Sequence, residues 1–331
     1  MSAAAAELWF TRCPVPTATG LAADRGWFDE EFAADGIAVR SLQDRDAASL
    51  RSEHFNHELS SLIREGGNVP ALWAKARGAG TRLIGLTWIE ERQAIVVRGD
   101  DPVADPADLV GRRVAVPARP GEAVDFWRAM ALAGFAGALR CAGLGLSDVV
   151  RVDVAPTADG GFFPETAAVA DGRADAAYVK GAPGLEAAAR AGLRIALDLD
   201  DLPDRRSRVN NGTPRPITVH QALLEERPDD VARFVAVLLR SADWAAANGD
   251  AFTEILARET GAGAEFVPDA YRADHHASLQ VSLSDERLAL LDQQQEFLYA
   301  NGFLERGVDV AAWADHTILA AARDLTLEKA S

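Results

Sequence analysis

Cysteine is nearly missing from this chain: two residues, Cys13 and Cys141, in 331. A reducing compartment keeps such thiols free, so no disulfide is expected between them, and no cysteine-rich iron motif is present. Also missing is any run near the ~18 uncharged apolar residues that a membrane span needs. The N-terminal "MSAAAAELWFTRC" has no basic stretch leading into a long apolar one, and "FTRC" is no lipoprotein cleavage site. No secretory signal is read there, and a cytoplasmic location is expected. Basic residues are outnumbered: 34 Lys and Arg against 50 Asp and Glu give a net charge of −16. That balance argues against nucleic acid and anionic membranes as partners. An anionic ligand would need a local cationic site to overcome the repulsion. "ARGAGTR" and "AGLGLSD" are too poor for dinucleotide loops, and no Walker sequence occurs. "HFNHE" pairs His54 with His57, but no further ligand follows at a recognisable spacing. Neither metal nor cofactor is expected.

What remains is an ordinary globular composition, 48% hydrophobic and 25% charged, with length for two domains. Strand-like and helix-like stretches alternate along it. "ELWF", "GIAVRSL", "TRLIGLTWI", "QAIVVRG", "RRVAVP", "VVRVDVAP" and "RIALDL" read as strands. Helices are expected over 17–25, over the Ala-rich zone Asp125–Ala142, and over "HELSSLIREGG", where Leu59, Leu62 and Ile63 have helical spacing. "ITVHQAL" looks like a strand running into a helix. Pro228 opens a long helix with Asp229 and Asp230 at its positive end, closed by Asn248-Gly249. Another runs from a Ser284 cap to Asn301-Gly302. Alternation of this kind implies an α/β protein.

Two stretches narrow the fold. "DDPVADPADLVGRRVAVP" (Asp100–Pro117) resembles the segment by which type II periplasmic binding proteins pass into their second domain. "VADGRADAAYV" (Val169–Val179) resembles a later Gly-x-x-Asp-Ala motif of the same superfamily, in its alkanesulfonate-binding and thiamine-pyrimidine-synthesis branch. The resemblance implies a two-lobed α/β fold with a ligand cleft between the lobes. Residues 1–97 and 215–331 would form lobe I, and 98–214 lobe II.

In "RCPVPTATGLAADRGWF" (Arg12–Phe28), Cys13 is followed by Pro14 and Pro16, which prevent ladder pairing and open a helix. The thiol is then either a small core residue or a reactive group at a helix N-terminus, where unpaired N–H groups favour a thiolate. Read with "HFNHELSSLIREGGNVPALW" (His54–Trp73), the segment resembles the 2'-hydroxybiphenyl-2-sulfinate desulfinase family. That family has a Cys-Pro-Val-Pro segment, a His-Phe pair, an arginine ten residues after the histidine, a Gly-Gly pair and a proline. Here these are Cys13, His54-Phe55, Arg64, Gly66-Gly67 and Pro70.

The resemblance implies hydrolysis of a C–S bond, an aryl sulfinate plus water giving an arene and sulfite. Cys13 would be the essential thiol, His54 would position or tune it, and Arg64 would bind the sulfinate. Gly66, Gly67 and Phe55 would line the substrate, with the Gly67 backbone donating to the sulfinate oxygens. The residue types suit the task independently. A planar, always-charged guanidinium matches two sulfinate oxygens better than an ammonium. Glycines let backbone N–H groups approach an oxyanion. A thiol beside an imidazole can deliver a proton to the ring carbon or attack sulfur, and both routes stay open.

Where the family carries a tryptophan-rich stretch, this chain has "AAYVKGAPG", so Tyr178 and Lys180 are the expected contacts to a smaller or more polar organic group. A segment from Gln43 to Gly66 is expected to act as a lid. The expected partner is a small-molecule aryl sulfinate, and the expected state a monomer. Two alternatives are a leaderless solute-binding protein for a sulfur-containing anion and a thiamine-pyrimidine-synthase-like enzyme.

Overall fold

Short runs of Val, Ile, Leu and Ala, cut by glycine, proline and aspartate, form ten strands among the described residues. They are β1 (Glu7–Phe10), β2 (Ala38–Ser41), β3 (Leu62–Glu65), β4 (Thr81–Thr87), β5 (Gln93–Arg98), β6 (Arg113–Pro117), β7 (Val150–Val154), β8 (Ala176–Lys180), β9 (Leu193–Asp198) and β10 (Arg215–His220). The computed structural model describes residues 7–11, 13–44, 49–50, 52–156, 163–261, 264–272 and 274–330. The chain divides into two units: Met1–Ile89, Gly212–Glu259 and Asp274–Ser331 form unit 1, and Glu90–Asn211 with Thr260–Ala273 forms unit 2.

Unit 1 holds a five-stranded sheet in the order β2-β1-β3-β10-β4. β1 runs parallel to β2 and β3, while β10 is antiparallel to both β3 and β4. Helices α1 (Ala18–Asp24), α2 (Trp27–Phe32), α3 (Glu53–Asn56) and α4 (Asn68–Ala76) follow the first strands. The Phe28 and Phe234 rings stack at 4.4 Å, and Phe10 meets Phe28 at 5.1 Å. Leu8, Ile63, Leu83 and Ile217 are fully buried in the same sheet.

Unit 2 repeats the plan, with strand order β7-β6-β8-β5-β9. Here β6 is parallel to β7 and β8, and β5 is antiparallel to β8 and β9. Its helices include α5 (Phe126–Arg140), α6 (Glu165–Ala170) and α7 (Gly181–Arg190). Cys141 caps the C-terminal end of α5, exposed and unpaired, and Cys13 is free as well. The later helices α8 (Gln221–Glu226) and α9 (Pro228–Ala247) belong to unit 1, with Pro228 in the first turn of α9 as the sequence implies.

Three expectations need correction. "HELSSLIREGG" is no helix: α3 stops at Asn56, His57 takes the left-handed conformation (φ 57°), and 62–65 pairs into the sheet. All four residues of β3 are buried, so the alternation that marks a half-buried strand is absent. The first crossing lies at Ile89/Glu90, not after residue 97, because β5 pairs only within the second sheet. The return lies at Asn211/Gly212 rather than 214/215, and 260–273 belongs again to unit 2.

Candidate active site

In unit 1 the C-terminal ends of the parallel strands β1 and β3 lie side by side, the edge where open α/β sheets take their ligands. The chain leaves β1 through Thr11, whose hydroxyl donates to Glu65 O at 2.8 Å, and reaches Cys13. The Cys13 Sγ lies 4.0 Å from the same carbonyl. A tight turn follows, with Val15 N donating to Cys13 O at 2.8 Å. The helix expected over 17–25 forms as α1, capped by Thr17. Cys13 therefore precedes the cap and is not held at a helix N-terminus.

Arg64 and Glu65 close β3, and strand alternation sends them to opposite faces. Glu65 turns inward, its carboxylate accepting from the hydroxyls of Thr19 and Thr87. Arg64 goes the other way and is fully buried. Its Nε donates to His54 O at 2.9 Å, and its Nη2 donates to His54 Nε2 at 3.2 Å. With Nε2 accepting, the His54 proton sits on Nδ1. His54 therefore clamps the guanidinium; among the described residues its hydrogen bonds run to Arg64 rather than to the thiol. The Phe55 ring stands edge-on to His54 at 5.1 Å.

Gly66 is what lets Arg64 lie there. A Cβ on residue 66 would fall 2.3 Å from the Arg64 guanidinium carbon. The Gly66 amide is spent on Pro216 O at 3.3 Å, so this glycine provides room and not an N–H for the substrate. Gly67 caps the start of α4, whose positive end lies next in the chain after Arg64. The β3–β10 register, Thr218 opposite Arg64 and Ile217 opposite Glu65, continues through the Gly66–Pro216 bond and brings Arg215 beside Gly67.

The electrostatics of this corner are one-sided. Burial lowers the Arg64 pKa to about 9; a negative charge on Cys13 opposes that shift and Arg215 adds to it. His54 is held well below its ordinary value by burial, then by Arg64, His57 and Arg215. His57 is lowered to about 3, chiefly by burial, and its Nδ1 pairs with Phe55 O at 2.9 Å. Among the described residues, Arg64 Nη1, His54 Nδ1 and Arg215 Nε are buried without a hydrogen-bond partner. Two buried guanidiniums and a ring N–H of this corner thus each keep an N–H that no described residue accepts.

Arg215, only 4% exposed, is the residue that sequence reasoning missed. It sits in an arginine-rich stretch with Arg205, Arg206 and Arg208, and nothing local sets it apart. Tyr178 and Lys180, expected at the substrate, are engaged elsewhere. Tyr178 is 2% exposed in the unit 2 core. Its hydroxyl donates to Gln93 Oε1 at 2.8 Å and accepts from Asn210 Nδ2 at 3.0 Å. Lys180 Nζ pairs with the buried Glu91 carboxylate at 2.6 Å. The expected lid shortens, since 62–65 is sheet; its residues 45–48 and 51 lie outside the described residues. No group of three or more His, Cys, Asp or Glu able to hold a metal occurs among the described residues.

Residues 15–251 match the NMT1/THI5 like family. The 2'-hydroxybiphenyl-2-sulfinate desulfinases of Rhodococcus erythropolis and Rhodococcus qingshengii are 30% identical over 348 aligned residues, covering 93% of this chain and 91% of theirs. Among solved structures, a cysteine-to-serine variant of the desulfinase DszB in complex with biphenyl-2-sulfinic acid superposes with a TM-score of 0.77. It is 26% identical and covers 97% of this chain and all of that one. The periplasmic aliphatic sulphonate binding protein SsuA of Escherichia coli, 20% identical over 95% of this chain and 93% of its own, shares the fold at a TM-score of 0.70. The chain belongs to the NMT1/THI5-like family with its periplasmic-binding-protein-like fold, and within it to the 2'-hydroxybiphenyl-2-sulfinate desulfinases.

Proposed function

We propose that this protein is a desulfinase that hydrolyses the C–S bond of an aryl sulfinate and releases sulfite. One observation carries the reading: a buried corner where Arg64, His54 and Arg215 each hold an N–H that no described residue accepts, beside a free thiol. In a chain of net charge −16, such a corner is costly unless an anion completes it. A sulfinate supplies two oxygens for the Arg64 fork, and the start of α4 favours the same charge. The relatives' activity on 2'-hydroxybiphenyl-2-sulfinate and the bound biphenyl-2-sulfinic acid of DszB support the same substrate class.

In this reading Cys13 delivers its proton to the ring carbon that bears sulfur. The C–H bond forms as the C–S bond breaks, leaving arene, sulfur dioxide and thiolate. Water adds to the sulfur dioxide to give hydrogen sulfite, and the released proton restores the thiol. The balance is aryl sulfinate plus water to arene plus hydrogen sulfite, with no oxidant or cofactor. Two observations favour this route over attack by the thiolate on sulfur: Cys13 does not sit at a helix terminus, and its Sγ is directed at the Glu65 carbonyl. His54, neutral and bound to Arg64, acts as a positioning residue. Phe55 stands beside it to meet the aryl group.

A free catalytic thiol suits a reducing compartment, and we place the protein in the cytoplasm as a monomer. Incubating the purified chain with 2'-hydroxybiphenyl-2-sulfinate or biphenyl-2-sulfinate and assaying sulfite tests the function. Sulfite in step with arene supports it. Tight binding without sulfite returns the chain to solute binding.

A further inference from the structure

Glu65 is a buried carboxylate in unit 1 that the proposed reaction leaves without a task. It closes β3 beside Arg64 and is 3% exposed. Its Oε2 accepts from the Thr19 hydroxyl and from Thr19 N at 3.3 Å, and its Oε1 accepts from the Thr87 hydroxyl at 2.7 Å. All three donors are neutral. A carboxylate held in this way is a costly means of filling a core position, since an apolar side chain of similar size would pack there without losing hydration.

The bonds fall on the two sides of the thiol. Thr17, the cap of α1, accepts from Gly20 N at 3.0 Å, and the neighbouring N–H of that first turn, Thr19 N, goes to Glu65. Glu65, 46 residues further along the chain than Thr19, is thus a second cap of α1. Before the thiol, the Thr11 hydroxyl donates to the main-chain carbonyl of the same Glu65 at 2.8 Å. Cys13 lies between these two ties, in the turn closed by Val15 N, with its Sγ 4.0 Å from that carbonyl. One residue therefore grips the chain ahead of the thiol and behind it. The alternation that turns Glu65 toward Thr19 sends Arg64 to the opposite face, so two adjacent residues place the thiol and the guanidinium.

We propose that Glu65 is a positioning residue of the reaction: by holding Thr11 and Thr19 it fixes where the Cys13 thiol stands relative to a sulfinate on Arg64. The role rests on the desulfinase reading. Its two kinds of bond set it apart from plain packing. The Thr11 tie uses the main chain and survives any side chain at position 65, so the carboxylate's own share is the Thr19 end. The Thr87 bond uses the other oxygen and leads to β4, which carries none of the site residues. The two hydroxyl bonds thus serve stability alike and the thiol unequally.

Steady-state kinetics on biphenyl-2-sulfinate, with chemical denaturation of the same samples, compares Thr19→Val, Thr19→Ser and Thr87→Val in the full chain. Valine deletes the hydroxyl at nearly constant volume, and serine keeps it. Both valine variants should lose similar stability. Thr19→Val should lower kcat about tenfold or more, the scale of a hydrogen bond to a carboxylate, while KM stays within about twofold. Thr19→Ser should restore kcat, and Thr87→Val should leave it near that of the unaltered protein. Where Thr19→Val does not fold, Thr19→Ala is read in the same way. Equal kcat in the Thr19 and Thr87 variants, or a loss confined to KM, overturns the proposal. Alkylation of Cys13 by iodoacetamide, with Cys141 as the internal reference, reads the thiol's placement without turnover. It should quicken severalfold in Thr19→Val and not in Thr87→Val, and equal rates in the two overturn the proposal. Absence of sulfite from the unaltered protein would refute the desulfinase reading separately, with the alkylation rates still deciding whether Glu65 holds the thiol.

Discussion

Arg64→Met separates a binding role from a structural one, because the two predict opposite patterns of loss. Burial lowers the guanidinium pKa from its ordinary value to about 9. At ~1.4 kcal/mol per pH unit, keeping that charge costs the folded state about 5 kcal/mol. Removing it also removes two hydrogen bonds from a charged donor, at 2.9 Å and 3.2 Å to His54. Together these contribute roughly 3–6 kcal/mol. The terms nearly cancel, so Arg64→Met should leave stability within about 2 kcal/mol of the unaltered protein. Binding has no such compensation. Losing the cation should weaken an aryl sulfinate more than about a hundredfold, and Arg64→Lys, which keeps the charge without the fork, by ~1–3 kcal/mol. Chemical denaturation and calorimetric titration on the same samples read both quantities. A large loss of stability with unchanged affinity would make Arg64 a structural residue and refute the reasoning.

Arg215→Gln should weaken sulfinate binding by about 1 kcal/mol or more while His54 and Arg64 stay in place, as a titration would show; unchanged affinity would remove Arg215 from the site. His57 ties stability to pH. Its folded pKa of about 3 lies below the unfolded 6.5, so its contribution is full above pH 6.5 and lost as pH falls from there toward 3. At pH 5 the loss is about 2 kcal/mol. Glu165, raised to about 7, acts in the opposite direction over this range. The effect is therefore read as a difference: His57→Asn, which tolerates the left-handed backbone, should lose less stability between pH 7.5 and 5. Equal losses would contradict the assignment. Hydrogen exchange over 43–61 should slow when a sulfinate binds if this stretch closes on it, and unchanged protection would remove the lid.

Much of the fold was legible because its elements announce themselves locally. Pro228 with Asp229 and Asp230, the Ser284 cap and the Val- and Ile-rich runs of β4 to β6 each obey one rule without competition. β3 was not legible. Four buried residues, Leu62-Ile63-Arg64-Glu65, show no alternation, and Leu59 completes a false helical spacing. That error also placed Arg64 at a helix end instead of on a strand beside Gly66. Cys13, His54 and Arg64 stand out through family spacing alone; the relation between two of them, His54 holding Arg64, is a matter of fold. Lys180 looked free because its partner, Glu91, comes from the chain leading into β5, which pairs with β8 far along the sequence. Arg215 stood hidden among other arginines, and only the β3–β10 register shows its place.

The most direct measurement is sulfite release from an aryl sulfinate by the unaltered protein, Cys13→Ser and Cys141→Ser, with ligand affinity measured alongside. A serine hydroxyl keeps the shape and most of the packing but is far less acidic than a thiol, so it cannot protonate the ring carbon at a useful rate. The expected result is sulfite and arene in equal amounts from the unaltered protein and from Cys141→Ser, and binding without sulfite from Cys13→Ser. Sulfite from Cys13→Ser at the unaltered rate, or none from any of the three, would contradict a desulfinase that works through Cys13.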